Sequence, residues 1–471
     1  MKKLTRIFVS AIMLTVVLTG CGKVQETNES STTQTTTENV TTQDSTTADT
    51  AGTEMKTITI TRRLAEWGAR DANFDEALVR LNKELEGQNV QVVVEEWPKV
   101  DDDELLLQGQ AGKKADIFIN SSVDIGWELE AGLIKEVDWV KDSELFSTTS
   151  DNLMNIMYYD GHYYGVLQDM DTSPVFLCRS TLKSLGMTDT DIDGLRDKVN
   201  NGEFVLSDLV DLAKQAMDQG LVDIGFAVED KRFEGWKYAY GVYNYDLDQN
   251  KLVFDETAVK NLFGFWEDAY NKGVINESIG DIGTDLSAPK FVEGKVFASF
   301  ARTEYYSELR AAKGMENDTS GFDKWFNENV VWIPVPSATE GGNPVSYSNP
   351  AMIFVGADVD DEKMPYVQRL IELMMSPDLQ IEHTLLSGKL PVTPEAYTDE
   401  RFQNMSYYKD QMYMTEFTSV RAPHPYYARF IEGYLTGVDT ILVGKKDANA
   451  AFEAYLADTK QYIPDDNIIY K

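Results

Sequence analysis

The chain has 471 residues, 43 basic against 78 acidic side chains, 42% apolar residues and two cysteines. This length carries cores of its own without disulfide staples, which excludes a small disulfide scaffold and gives a prior of two or three domains. A formal charge of −35 with no concentrated basic patch excludes nucleic-acid and polybasic membrane partners, and the ordinary apolar content excludes wholesale disorder.

Lys2, Lys3 and Arg6 precede an apolar stretch, Ile7 to Leu18, that closes on Leu18-Thr19-Gly20-Cys21. The stretch is too short to span a bilayer, and its flanks resemble a bacterial lipoprotein signal at residues 1–20. That resemblance implies acylation of Cys21 and a lipid-anchored protein on the extracytoplasmic face of the cell membrane. Residues 21–55 follow as a Ser/Thr-rich segment with scattered acids, too poor in apolar groups to offset its ordering entropy and therefore expected to be a solvated tether. The second cysteine, Cys178, sits among Val175, Phe176 and Leu177 and is expected to be a buried strand thiol.

From Lys56 to Thr61 the residues are β-branched and alternating; Phe74, Leu78, Leu81 and Leu85 recur at helical spacing before Gly87; Val90 to Glu95 reads as a second strand. Leu105 to Ala111 predicts a short helix, Ala115 to Ile119 a third strand and Gly126 to Ala131 another helix. Strands alternating with helices imply an open α/β lobe of parallel strands with helices on both faces, which binds ligands beyond the carboxyl ends of its strands. The loops there carry Arg62, Arg63 and Trp67, then Trp97, then Asn120, Ser121, Asp124 and Trp127. Further along, Phe204 to Met217, Thr257 to Asn271, Glu362 to Met375 and the tail from Tyr426 predict helices; Val296 to Phe300, Val330 to Val335 and Ala351 to Val355 predict strands.

Chemistry is sparse. The sequence has no HExxH, paired CxxC, GxSxG or phosphate-loop motif, and so points to no metal, cofactor or nucleotide. The acidic runs Asp101 to Glu104 and Asp358 to Glu362 lack the ligand pattern of a calcium loop and sit where helices begin, where acids favour the positive end of the dipole. A carboxylate pair for glycoside hydrolysis has no spacing to support it among so many acids.

Four segments in order carry a resemblance: ADIFINSSVDIGWELEAGLIKEVD (115–138), YDGHYYGVLQDMDTSPVFLCRSTLKSLGM (159–187), FVEGKVFASFA (291–301) and GKLPVTPEAY (388–397). Together they resemble the extracellular solute-binding proteins of ABC importers, in the sugar-type group that includes maltose-binding protein. The chain departs from that pattern at Cys178-Arg179-Ser180, where the family usually has Tyr-Asn-Lys, and at Leu167-Gln168, where proline is common.

The resemblance implies a two-lobed periplasmic-binding-protein-like α/β fold with several crossovers and a cleft between the lobes. It places 56–172 and 328–380 in a discontinuous N-terminal lobe and 173–327 and 381–471 in a C-terminal lobe. It also implies a non-catalytic monomeric receptor that passes a mono- or oligosaccharide to permease subunits; the alternatives are a surface glycoside hydrolase and an adhesive glycan-binding lipoprotein.

Sugar sites pair aromatic platforms with planar polar side chains. The family's positions fall here on Trp236 and on Tyr305 and Tyr306, with Tyr426 and Tyr427 at a helix start. They fall also on Ser121 and Asp124 after the third strand, and on Gln168, Asp169 and Asp171 at the mouth of the hinge. Asp124 and Asp171 would serve equally as helix caps or hinge hydrogen-bond partners. Arg63 and Trp67 complete the expected set with Arg302 and Arg421; if Arg62, Arg63, Arg302 and Arg421 converge, an anionic sugar is expected.

Overall fold

Alternation builds the first sheet. In the Lys56–Arg63 strand Ile58 and Ile60 turn inward between exposed neighbours, and the strand pairs in parallel with Val90–Trp97 from Lys56↔Val90 to Arg63↔Trp97. Ile117–Ser121 joins it in parallel on the other side. Ala351–Val355 then lies antiparallel between Ile117–Ser121 and Val166–Asp169, completing five strands. The computed structural model describes residues 55–65, 67–280 and 283–471. The expected signal segment, Cys21 and the expected tether up to residue 54 lie outside the described residues.

Helices cover this sheet through apolar stripes. Gly68–Glu84 buries Phe74, Ala77 and Leu81 and packs against Met364–Met374 and Pro377–Ser387. The acidic runs start helices as their placement predicts: Asp101 caps Asp102–Gln110 by accepting from the Glu104 amide at 2.9 Å, and Asp360 accepts from the amides of Glu362 and Lys363 just before Met364–Met374.

The second sheet has four strands in the order Val330–Ile333, Val175–Cys178, Val296–Phe300, Ile224–Val228. Val175–Cys178 is antiparallel to both of its neighbours. Its residues alternate between two apolar clusters, Phe176 in one and Val175 and Leu177 in the other, as a strand buried on both faces must. The Leu177 side is covered by the apolar stripes of Leu206–Asp218, Glu256–Asn271, Tyr427–Leu442 and Ala448–Tyr462.

Two expected lobe boundaries move. Val330–Ile333, expected in the first lobe, is an edge strand of the second sheet, in register Val330↔Cys178 to Ile333↔Val175. A run in which all four residues are buried has no periodicity to say which sheet it joins. The chain returns to the first sheet only at Ala351. Residues 381–417, expected in the second lobe, send Ile381, Leu390, Val392, Phe402 and Met414 into a cluster that the first sheet shares with the Phe176 face of the second, and so bridge the two. From Ala422 the apolar side chains join the second core. Cys178 also differs from expectation: it is half-buried at the strand's end, its Sγ 3.2 Å from the Ser180 hydroxyl.

The passages between the sheets are stitched side by side. Met170 exchanges backbone hydrogen bonds with Leu390, the Thr303 amide donates to the Thr172 carbonyl and the Thr172 amide to the Thr303 hydroxyl, and the Ser173 amide donates to the Ser346 hydroxyl at 3.0 Å. Ser346–Ser348 pairs in parallel with Thr418–Val420. These contacts form the hinge.

Candidate functional site

The lobes touch where a side chain is missing. Gly126, in the Ile125–Glu130 helix after the third strand, lies so close to the second-lobe loop that a Cβ there would sit 2.4 Å from the Pro423 carbonyl and 2.8 Å from the Pro425 ring. Two cavities flank this contact, each lined from both lobes, and Arg421 borders both.

The smaller chamber has a volume of 280 Å³. The first lobe contributes Ser122 and, from the Asp151–Ile156 helix, Asn152, Asn155 and Ile156; Leu153 and Ile156 are the buried apolar residues of that helix. Tyr238, Tyr243, Asn244 and Tyr245 face them from the second lobe. The Tyr238 and Tyr243 rings stack at 5.6 Å with 10° between planes, and the Tyr238 hydroxyl donates to the Val420 carbonyl at 2.9 Å. Asn244 is 5% exposed and Ser122 2%, yet both atoms of the Asn244 amide and the Ser122 hydroxyl lack hydrogen-bond partners among the described residues.

The wider chamber, 470 Å³, lies between Asp102, Asp103, Asp124 and Trp127 of the first lobe and Arg232, Arg421, Tyr427 and Glu432 of the second. Burial pushes the Asp124 carboxyl up to about 6, against the hydrogen bond donated by the Trp127 indole at 2.9 Å and with the charge of Asp102 adding to the rise. Beneath it the fully buried Glu128 is raised well above the carboxylate range by burial, Asp124 contributing. His424 is pushed down to about 4 by burial. Burial lowers the Arg421 guanidinium, but the buried Glu234, 3.4 Å away, together with Tyr347, Tyr427 and Asp230 outweighs that penalty and leaves it raised, and Tyr427 donates to the Glu234 carboxylate at 2.9 Å.

The residues expected from sequence divide into three groups. Asp124 and Arg421 line the cleft, with Trp127 and Tyr427 beside them. Ser121 stands at its edge, donating to the Asn349 side chain at 2.6 Å, and the half-buried Tyr426 packs on the His424 ring.

A second group braces the framework. The Arg63 guanidinium donates to the Pro98 carbonyl and to Gln108, and Arg62 is spent on Asp75 and Glu96. Trp67 covers Arg70, which reaches Asp169 at 3.3 Å. Gln168 is buried with its amide on Asn73. Asp171 and Arg302 meet each other in the hinge, where Arg302 also holds Glu229. The expected convergence of arginines on a ligand therefore does not occur; of the four, Arg421 alone borders the cavities.

The third group is core. Trp236 is fully buried among Phe226, Phe233, Phe265, Trp266 and Phe300. Tyr305 packs on Phe176 and Phe291, and Tyr306 stacks on Tyr407. These positions correct the expectation of aromatic platforms: each ring projects from a helix into a cluster of other aromatic side chains, where the apolar area it removes from water favours the interior.

Sequence reading missed Asn152, Asn155, Tyr238, Tyr243, Asn244 and Tyr245. A signal for the last four exists in Tyr238-Ala-Tyr-Gly-Val-Tyr-Asn-Tyr, four tyrosines and an asparagine around a glycine with φ 75°. The turn leaves Tyr243 half exposed, while Tyr238 at the end of the preceding helix is buried.

The fold has solved counterparts. The maltose-bound MalE3 of T. maritima superposes with a TM-score of 0.65 at 15% identity, covering 86% of this chain and 100% of that one. The GacH receptor of Streptomyces glaucescens gives 0.65 at 16% identity, covering 89% and 100%. The sugar-binding protein MalE of Xanthomonas citri gives 0.67 at 13% identity, covering 86% and 96%. The family model for bacterial extracellular solute-binding proteins matches residues 76–409. That span is well over half of the chain, and the chain belongs to the bacterial extracellular solute-binding protein family.

Proposed function

We propose that this chain is a non-catalytic, lipid-anchored receptor that captures a carbohydrate between its lobes and delivers it to the permease of an ABC importer. The observation that carries the reading is the pair of cavities at the lobe contact, each completed only by residues of both lobes. A ligand bound there gains its full contacts only in the closed arrangement, so binding shifts the open–closed equilibrium by that differential affinity. Aromatic rings interleaved with asparagine, serine and threonine suit a sugar's apolar faces and hydroxyl rim. Structural relatives solved with maltose, maltotetraose or α-D-tagatose bound support the same class.

In this reading Cys21 carries the acyl anchor, the tether holds the lobes outside the membrane, and a separate subunit hydrolyses ATP. A thermal-shift and calorimetric screen of mono- and oligosaccharides tests it. A receptor at a hundredfold excess of ligand over Kd gains ~2.7 kcal/mol of stability, binds stoichiometrically and leaves the sugar intact. Release of shortened product would replace the receptor by a glycoside hydrolase. Loss of labelled-palmitate incorporation in Cys21→Ala, with the wild type labelled, is the expected result for the anchor.

A further inference from the structure

The two chambers differ in chemistry, and the difference selects a ligand. Among the described residues no carboxylate and no lysine lines the smaller chamber; its one charged group, Arg421, is already paired with Glu234. Four carboxylates line the wider one. The smaller chamber also holds the orphaned groups: the Asn244 amide offers a donor and an acceptor, and the Ser122 hydroxyl offers both from the opposite lobe. A buried polar group left without a partner costs free energy that a folded protein seldom tolerates unless something else supplies the bond. Tyr243 stays half exposed while its ring stacks on Tyr238.

We infer that the smaller chamber is the primary ring site and takes an uncharged sugar of mono- to disaccharide size, held by Asn244 from one lobe and Ser122 from the other with Tyr243 as its apolar platform. The inference rests on the carbohydrate reading above and narrows it. Sugar hydroxyls replace the missing partners of both side chains, and because Asn244 and Ser122 lie on different lobes, one ring that bonds both ties them together. The chamber's volume of 280 Å³ is at the small end of ligand sites, and with Arg421 already held by Glu234 its lining offers no unpaired charge to compensate a buried ammonium or carboxylate.

The test is isothermal titration with glucose, maltose, cellobiose, glucosamine and glucuronate against the wild type, Asn244→Ala, Ser122→Ala and Trp127→Ala, with melting temperatures of the empty proteins recorded alongside. The expected result is that a neutral sugar binds the wild type at least tenfold tighter than either charged sugar. Asn244→Ala should weaken it at least tenfold and Ser122→Ala severalfold, while the empty Asn244→Ala protein melts no lower than the wild type because an unpartnered polar group has been removed. A structural role for Asn244 would instead lower the melting temperature. Tighter binding of glucosamine or glucuronate, or a larger loss from Trp127→Ala than from Asn244→Ala, would overturn the assignment and leave the receptor reading standing. No stabilisation of the wild type by any of the five sugars would overturn both.

Discussion

The hinge and the cleft bury polar groups in opposite ways. In the hinge Asp171 is 1% exposed and accepts from the Ser348 hydroxyl at 2.6 Å, the Asn349 amide at 3.2 Å, Arg302 at 3.3 Å and the Lys389 ammonium. Lys389 is shared with Glu304 at 2.7 Å, and Arg302 with Glu229. Burial alone would raise the Asp171 carboxyl, but Lys389 and Arg302 outweigh it and hold it below its usual range. In the smaller chamber Asn244 and Ser122 are buried as deeply and have no partner among the described residues. A network with partners on all sides fixes how the chain crosses between lobes; an incomplete one marks where a ligand completes it.

Breaking the hinge should have the largest effect. Asp171→Ala leaves Lys389 and Arg302 buried around a missing counter-charge and is expected to cost about 3–5 kcal/mol in urea unfolding. A loss below 1 kcal/mol would mean that Glu304 and Glu229 suffice, and the contrast with the cleft would weaken.

The lobe contact comes next. Gly126→Val places a branched side chain against Pro423 and Pro425, and the lobes must part to admit it. Sugar affinity should fall at least tenfold, about 1.4 kcal/mol or more, by titration calorimetry, with a smaller change in melting temperature because the wedge opens a surface and leaves both cores intact. Unchanged affinity would show that closure at this point is not needed for binding.

Asp124 is the intermediate case, a cleft carboxyl with the Trp127 indole and the Ser121 amide as partners and its folded pKa raised to about 6. A raised carboxyl favours the folded state fully below its unfolded value near 3.8, and that contribution is lost as pH rises through about 6. Asp124→Asn should therefore flatten the wild type's loss of melting temperature between about pH 4 and pH 6. At pH 7 it should stabilise the empty protein by about 1–2 kcal/mol, allowing for partial solvent screening. An Asn variant with the same pH profile as the wild type would place the penalty on the neighbouring Glu128.

Much of the framework was legible. The Ile58/Ile60 alternation, Phe74 and Leu81 of the expected helical stripe and the acidic helix starts at Asp101 and Asp360 are local patterns, and local backbone geometry decides them. The cleft was legible only in part. Asp124 and Arg421 lie on loops that a two-lobed α/β fold brings together, whereas the smaller chamber draws Ser122, Asn152, Asn244 and Ser419 from four separate segments.

By itself, then, the sequence determined the elements, the two-lobed class and the family, because hydrophobic period and segment order survive without three-dimensional information. Only the tertiary structure decided that Val330–Ile333 joins the second sheet, that Trp236 is core, and that Arg302 is occupied in the hinge. It alone also left Asn244 and Ser122 facing one cavity unpaired. Each of these depends on what else is near a side chain, and a buried tryptophan and a platform tryptophan, or a hinge arginine and a ligand arginine, have the same letters and the same neighbours in sequence.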